Sequence, residues 1–308
     1  MVVMLGVFLS LMAGHFGLGR VSIVSSLVAG RNALTAGYVG VAVGFGLLGI
    51  FWTRGRQQVA VFGISFVLVA TCSGFGIAIG GISNDFPART VSGDLRILSW
   101  NINGDLVSAE QVAAVAHMND ANIVVLPDAT YSTVVQLADL MPAFTVSPTP
   151  TERQETYVLT SSDLGRLQSV PADGPSSTKE AIVVSASPPR LIAIHVAQPV
   201  LRGNSQWNAD LAWAESECRV PNTILVGDFN ATVDNFGQSS LGGCNDAAST
   251  RKAASTGTWP TFLAPALGMP IDHILASPNW LVRSFTVITD QDSSGARHRP
   301  IFAALAER

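Results

Sequence analysis

All 22 acidic residues of this 308-residue chain lie beyond position 84, and the only formal charges before them are Arg20, Arg31, Arg54 and Arg56. A chain divided in this way is built for two different solvents. Residues 33–52 and 58–82 are apolar runs with no formal charge, and a helix needs about 20 such residues to cross the hydrocarbon core of a bilayer. Both are expected to span a membrane. Buried core helices are the alternative, disfavoured by their length, glycine content and lack of charge. Residues 1–19 form a third candidate span, interrupted by His15 and followed by Arg20 and a second apolar patch, Val21 to Ala29. A signal peptide is the rival there, but no basic segment precedes the run and no clear cleavage site follows it.

Residues 1–84 are thus expected to be a membrane anchor, with spans at about 1–19, 33–52 and 58–82, and residues 85–308 a separate folded domain. Arg54 and Arg56 lie between two closely spaced spans and favour the cytoplasmic side. A multi-pass protein of the cell membrane follows, with residues 85–308 outside the cytoplasm. Arg20 and Arg31 in the opposite short loop reduce that bias. Cys72 falls within a span, leaving Cys218 and Cys244 as a pair in the domain. An even pair suits a disulfide in an oxidising compartment, where closing the loop would stabilise by roughly 3–4 kcal/mol; two unpaired buried thiols are the alternative.

After a polar, proline-containing connector at 83–94, short apolar runs predict strands at Leu95–Asn101, Ile123–Leu126, Glu155–Thr160, Glu180–Ser185 and Leu191–Val196. Further strands are predicted at Thr223–Val226, Ile271–Ala276, Val282–Ile288 and Ile301–Leu305. Helices are predicted at Ser108–Met118, with Ser108 as N-cap, and at Ser132–Leu140 and Ser205–Cys218. Many short strands and a few helices point to two packed sheets with helices outside, an α+β or α/β sandwich.

Residues 223–230 read Thr-Ile-Leu-Val-Gly-Asp-Phe-Asn: a buried strand, a glycine that permits a sharp exit, then a carboxylate and a carboxamide two positions apart. Polar groups also end the other strands. Asn101 and Asn103 follow the first strand, Asp128 the second and His195 the run Leu191–Ile194, while Asp272 and His273 follow Pro270-Ile271 and His298 precedes Ile301. One such end is an ordinary turn. The repetition marks a site at one rim of a sandwich.

These segments resemble the endonuclease/exonuclease/phosphatase superfamily, which includes deoxyribonuclease-like nucleases, neutral sphingomyelinases and inositol-phosphate phosphatases. The resemblance covers roughly residues 94–308. It rests on SWNIN at 99–103, VLPDAT at 125–130, HVAQP at 195–199, GDFNAT at 227–232, PIDHIL at 270–275 and RHRPIFA at 297–303. It implies a four-layer α/β sandwich, two packed β-sheets with outer helices, and a divalent metal, Mg²⁺ or Mn²⁺, at one end. Asn101, Asp128 and Asp228 are then the expected metal region, with Asp128 where the family usually has Glu; both are hard oxygen ligands. Asp228 would position the attacking water. Asn230 would donate to the phosphate, and His195 would bind it or move a proton. His298 would be the principal imidazole, with Asp272 on its second ring nitrogen. Asn101 and Arg297 are expected to touch substrate.

The departure from the family is Ala296-Arg297, where Ser-Asp is usual. Arg297 could hold a phosphate oxygen as a charged fork, or Asp290 or Asp292 could supply the missing carboxylate. His273, Trp100 and Trp259 are expected to be structural, and Glu155 either orients His195 or lies on the surface.

Four of the 18 basic residues lie in the first 84, so the rest of the chain has a formal balance of −8, with Lys179 and Lys252 as its only lysines. That disfavours nonspecific binding to nucleic acid, which draws on Lys and Arg. The apparent spans, GDFNAT and GTWP at 257–260 are similar to bacterial membrane proteins linked to teicoplanin resistance. That similarity implies a lipid-linked substrate of the undecaprenyl-pyrophosphate kind, by analogy. A metal-dependent phosphodiester or pyrophosphate hydrolase is the expectation; an exported nuclease or a non-catalytic binding protein with a decayed site are the alternatives. No protein partner is indicated.

Overall fold

The computed structural model describes residues 18–84, 90–151, 155–165, 169–171, 174–175, 182–184, 189–200, 203–237 and 240–308. The candidate span at 1–19 falls almost wholly outside them.

Period-two alternation builds the sandwich. Strand β1 (Leu95–Ser99) turns Leu95 and Ile97 toward the second sheet and Leu98 toward outer helices. Its neighbours are β2 (Ile123–Leu126), β3 (Phe144–Ser147) and β4 (Tyr157–Ser161). The second sheet contains β5 (Ser169–Pro171), β6 (Ile182–Val184), β7 (Arg190–His195), β8 (Thr223–Asp228), β9 (Ser240–Leu241), β10 (Cys244–Asp246) and β11 (Asp272–Ala276). Strands β12 (Trp280–Val287) and β13 (Ile301–Glu307) return to the first. The orders are β12-β13-β1-β2-β4-β3 and β5-β6-β7-β8-β11-β10-β9. Both sheets are mixed: β1 with β2 and β7 with β8 are parallel, the other pairs antiparallel.

Ile97, Val125 and Val158 from one sheet meet Ala193, Ile224, Val226 and Ile274 from the other in the central core. The helices cover the outer faces, giving four layers, as the sequence implies.

Among the described residues, three α-helices precede the sandwich: α1 (Ser22–Ala29), α2 (Arg31–Phe51) and α3 (Arg56–Gly80). The last two are long and apolar enough to cross a membrane. They pair as a hairpin, with Phe45 stacked on Phe62 and Phe66 at 5.8 Å. Both begin on an arginine counted in the sequence as a loop charge. The outer helices of the sandwich are α4 (Ala109–Met118) and α5 (Tyr131–Leu140) on the first sheet and α6 (Ser205–Glu217) on the second. The Ser108 hydroxyl caps α4 by accepting from Gln111 N at 3.3 Å. Single turns α7 (Val233–Phe236) and α8 (Ala247–Thr250) follow β8 and β10. Cys218 and Cys244 form a disulfide, with Cα atoms 5.2 Å apart.

The sequence reads as an anchor and a separate domain joined by a polar connector, yet the sandwich is seated on the hairpin. Arg31 Nη1 meets Asp234 Oδ1 at 2.7 Å, and Asn32 Nδ2 donates to the carbonyls of Ser255 and Gly268 at 2.8 and 3.2 Å. Ala254 N and Ser255 N donate to Gly80 O and Gly81 O. Arg20, read in the sequence as a topology charge, pairs with Glu215 at 3.2 Å.

Gly227 interrupts the apolar run of β8 because its φ is +143° and a Cβ there would land on the carbonyl oxygen of Ile194. Gly227→Ala is expected to cost at least about 2–3 kcal/mol, from backbone strain alone, read as a lower thermal midpoint. The glycine read in sequence as the exit thus lies within the strand, paired with Ile194 and His273, because only a residue without Cβ fits between them; an unchanged midpoint would contradict this account.

Candidate active site

Strand register assembles the centre of the site. Asp228 ends β8, and its ladder neighbours are His195 on β7 and Asp272 on β11. Three strands of one sheet thus bring their polar tips into one row. The first sheet adds Asn101, just beyond β1, and His298, three residues before β13. Trp100 fixes that approach: its indole is fully buried and donates to His298 O at 2.9 Å. It packs, as expected, and also holds the histidine's backbone.

One oxygen is the hub. Asp228 Oδ2 accepts from Asn101 Nδ2 at 3.0 Å and is faced by His195 Nε2 at 3.6 Å and His298 Nε2 at 3.8 Å. Its Oδ1 accepts from Asn230 N at 2.8 Å. Burial raises the Asp228 pKa, and the charge of Asp272 raises it further, against the opposing pull of His298, His195 and the Asn230 bond. Asp272 grips His298 Nδ1 with both oxygens, at 3.0 and 3.3 Å. Burial disfavours the charged imidazole, but the carboxylates of Asp272, Asp228 and Asp128 outweigh it and push the His298 pKa up to about 9.

The remaining expected residues are placed as follows. Asn230 sits at positive φ and donates an amide hydrogen to Val196 O at 2.9 Å. Asp128 is half-buried, also at positive φ, and its carbonyl accepts from Gly104 N at 2.7 Å. Arg297 has an exposed side chain, and its backbone N donates to Asn103 Oδ1 at 2.8 Å. Glu155 is exposed and contributes its carbonyl, which accepts from Ala129 N, so it supports the Asp128 turn rather than His195.

Asp292 does not replace the missing carboxylate. Both its oxygens are held at 2.7 Å by Arg299, a fully buried guanidinium that also donates to the carbonyls of Gly257, Thr261 and Leu263. Asp290 is exposed and accepts from the adjacent Gln291 at 3.3 Å.

Arg299 is therefore a strut for the loop carrying His298, a role that sequence reasoning missed although the residue adjoins the histidine. Thr258 was missed too: its hydroxyl accepts from Ile271 N and Asp272 N at 3.1 and 3.2 Å, fixing the start of β11. GTWP was visible in the sequence, but not what its threonine binds.

His273 is structural, as expected. Its ring nitrogens face two acceptors, Asp246 Oδ1 at 3.0 Å and Ala231 O at 2.8 Å. Only the doubly protonated ring satisfies both. Burial opposes that charge, yet the Asp246 hydrogen bond and charge, with Ala231 O and Asp272, raise the pKa above the ordinary value. The resulting stabilisation is complete below about pH 6.5, the ordinary unfolded value, and is lost as pH rises through the higher folded value. His273→Gln should therefore flatten the alkaline fall in unfolding free energy seen in the parent chain. Equal slopes would show that His273 is neutral in the fold.

Asp228, Asp272 and His298 offer ligand atoms within 4.8 Å of one another, a buried cluster that could hold a metal ion. Two packed mixed sheets with carboxylates and imidazoles converging at one end define a phosphate-ester hydrolase fold. The sequence profile of the Endonuclease/Exonuclease/phosphatase family matches residues 98–294, and the chain belongs to that family.

Solved structures with the same fold include D. rerio TDP2 complexed with a single-strand DNA product, at 17% identity and TM-score 0.55, covering 70% of this chain and 100% of that one. A mannosyl-6-phosphatase from Bacteroides thetaiotaomicron gives 15% and 0.53, covering 69% and 99%. A 3′ phosphatase from Neisseria, bound to a product DNA hairpin, gives 19% and 0.51, covering 68% and 98%. No curated protein matches the sequence.

Proposed function

We propose that the chain is a membrane-tethered phosphoesterase that uses a divalent metal, Mg²⁺ or Mn²⁺, and water to hydrolyse a phosphodiester or pyrophosphate in a lipid-linked substrate of the undecaprenyl-pyrophosphate kind. The observation that carries this reading is the pairing of a buried His298–Asp272 couple with Asp228, whose one oxygen faces both imidazoles.

The residues fit a divalent cation. Two buried carboxylates, Asp228 and Asp272, and the half-buried Asp128 lie near His298, so anionic oxygen outweighs imidazolium. Asp272 is committed to His298, which leaves Asp228, Asp128 and the second lone pair of the Asn101 side-chain oxygen, which also accepts from Asn103 N at 3.0 Å, as hard donors of the type these ions prefer. Bound there, the cation would stabilise charge developing on the phosphate oxygens. Asn230, anchored by Val196 O, keeps a second amide hydrogen for the phosphate, and Arg297 offers an exposed guanidinium at the rim.

Asp228 orients the attacking water and accepts its proton as the water oxygen bonds to phosphorus. The bond to the leaving oxygen breaks as that oxygen takes the proton from His298 Nε2, and exchange with solvent restores both groups. Asp272 holds the ring by Nδ1 and stabilises its charged form. His195, at the edge of the site, donates to a phosphate oxygen.

The lipid assignment is supported by the two apolar helices and by the seat that joins them to the domain. The balance of −8 also weighs against a duplex nucleic acid. The disulfide and the Arg54–Arg56 loop support an extracytoplasmic domain. The test is a substrate panel for the full chain in lipid vesicles with Mg²⁺ or Mn²⁺: DNA, sphingomyelin and an isoprenyl pyrophosphate. Hydrolysis of a lipid substrate supports the reading; cleavage of DNA alone, or no turnover with either metal, overturns it.

A further inference from the structure

The loops that grip the hairpin mostly leave the same end of the sheets as the site. Asn204 follows β7, Asp234 and Asn235 follow β8, Ser255 and Gly268 precede β11, and Val287 ends β12. Their partners are on or beside the hairpin: Asn204 with Ser25, Asp234 with Arg31, Asn235 with Gly19 and Ser25, Ser255 and Gly268 with Asn32, and Val287 with Asn84. The site therefore lies at the end of the sandwich that meets the apolar helices.

Large apolar side chains stand exposed on the same loops and on α1. Phe262 is 83% exposed, although its backbone is held rigidly on both sides, Thr261 O and Leu263 O each accepting from Arg299. Thr261 also bonds Arg297 O and Ala296 O, which ties Phe262 to the segment leading into His298. Val200, 52% exposed, lies in the turn after His195, where its backbone N donates to Asn204, the residue pinned to Ser25. Leu27, in the last turn of α1, is exposed while Val28 beside it is buried. What sets Phe262 and Val200 apart from exposed apolar side chains elsewhere on the domain is their place on loops bonded to the apolar helices, where an apolar phase would receive them.

Resting on the reading of α2 and α3 as membrane spans, we propose that Leu27, Val200 and Phe262 form an apolar lip that enters the headgroup–acyl boundary. A phosphorylated lipid then reaches Asp228 and His298 along the membrane plane, its chains remaining in the bilayer. Continuity with the hairpin selects lipid as the occupant: the loop of Phe262 is bonded through Gly268 to Asn32, the second residue of α2.

The test is nitroxide labelling of the full chain in lipid nanodiscs, with Cys72→Ala removing the free thiol. Labels are placed by Phe262→Cys, Val200→Cys, Val43→Cys on the exposed mid-face of α2, and Met118→Cys at the far end of the sandwich. Relaxation is compared for dissolved oxygen, which concentrates in lipid, and a water-soluble nickel chelate. The lip predicts that labels at 262 and 200 favour oxygen, as at 43, while that at 118 favours nickel. Nickel-dominated relaxation at 262 and 200 with lipid values at 43 overturns the lip and leaves the tether standing. Aqueous values at 43 overturn both. Shielding at 262 from both reagents overturns it in favour of a protein partner.

Discussion

His298→Gln is expected to lower turnover of the scissile phosphate by about 10²- to 10⁴-fold, the usual contribution of a positioned proton donor, with the fold intact. The backbone carbonyl at 298 still accepts from the Trp100 indole, but glutamine cannot carry the proton that Asp272 and Asp228 hold on the ring. Asp272→Asn should fall in the same direction by a smaller factor, because it leaves Nε2 in place while removing the charge that favours the imidazolium. The full chain is assayed under saturating substrate, with thermal unfolding as the control for folding. Turnover equal to the parent in both variants would sink the assignment of His298.

Arg299→Ala should produce a large loss of stability, on the order of 2–4 kcal/mol, because three carbonyls lose a buried donor, whereas Asp292, its side chain 35% exposed, regains water. The guanidinium is fully buried, holds Asp292 by two bonds and bonds the carbonyls of Gly257, Thr261 and Leu263. Alanine would leave a carboxylate and three carbonyls without that donor. The measurement is the thermal or denaturant midpoint, together with activity. Arg299→Lys should recover only part of the loss, since a single ammonium cannot reproduce the planar fork. A parent-like midpoint for Arg299→Ala would remove the strut from the description.

The elements that could be read in sequence are those whose apolar period is long enough to be unambiguous. Ile123–Leu126 occurs as expected, and Leu191–Val196 and Ile301–Leu305 differ from β7 and β13 by one or two residues at their ends. Strands β9 and β10, of two and three residues, depend on pairing, β10 with β11 and β9 with β10, rather than on their own propensity. The two apolar helices could be placed, but not their starts at Arg31 and Arg56; Arg31, at the first of these, is paired with Asp234, over 200 residues away in the chain.

Site residues could be recognised by type and by position at strand tips; of the bonds among them, that of Asp272 to His298 is implied by the family resemblance, and none by residue pattern alone. Local pattern has no means to distinguish Asp272, which orients a histidine, from Asp246, which neutralises one, or from Asp292, which anchors an arginine. Those roles follow from partners distant in sequence for Asp246 and Asp272, and from the burial of Arg299 for Asp292.

The seat also bears on the fate of the hairpin. A segment cleaved after export has no lasting hold on the domain it delivers. Here, removal of α2 and α3 would strip partners from Asp234, Ser255 and Gly268 and from the amides of Ala254 and Ser255. At about 0.5–1.5 kcal/mol for each neutral bond, and more for the charged one, that loss is comparable with the whole stability margin of many domains. The hairpin is thus structurally part of the folded unit, so the domain, once folded, is not released from it without cost.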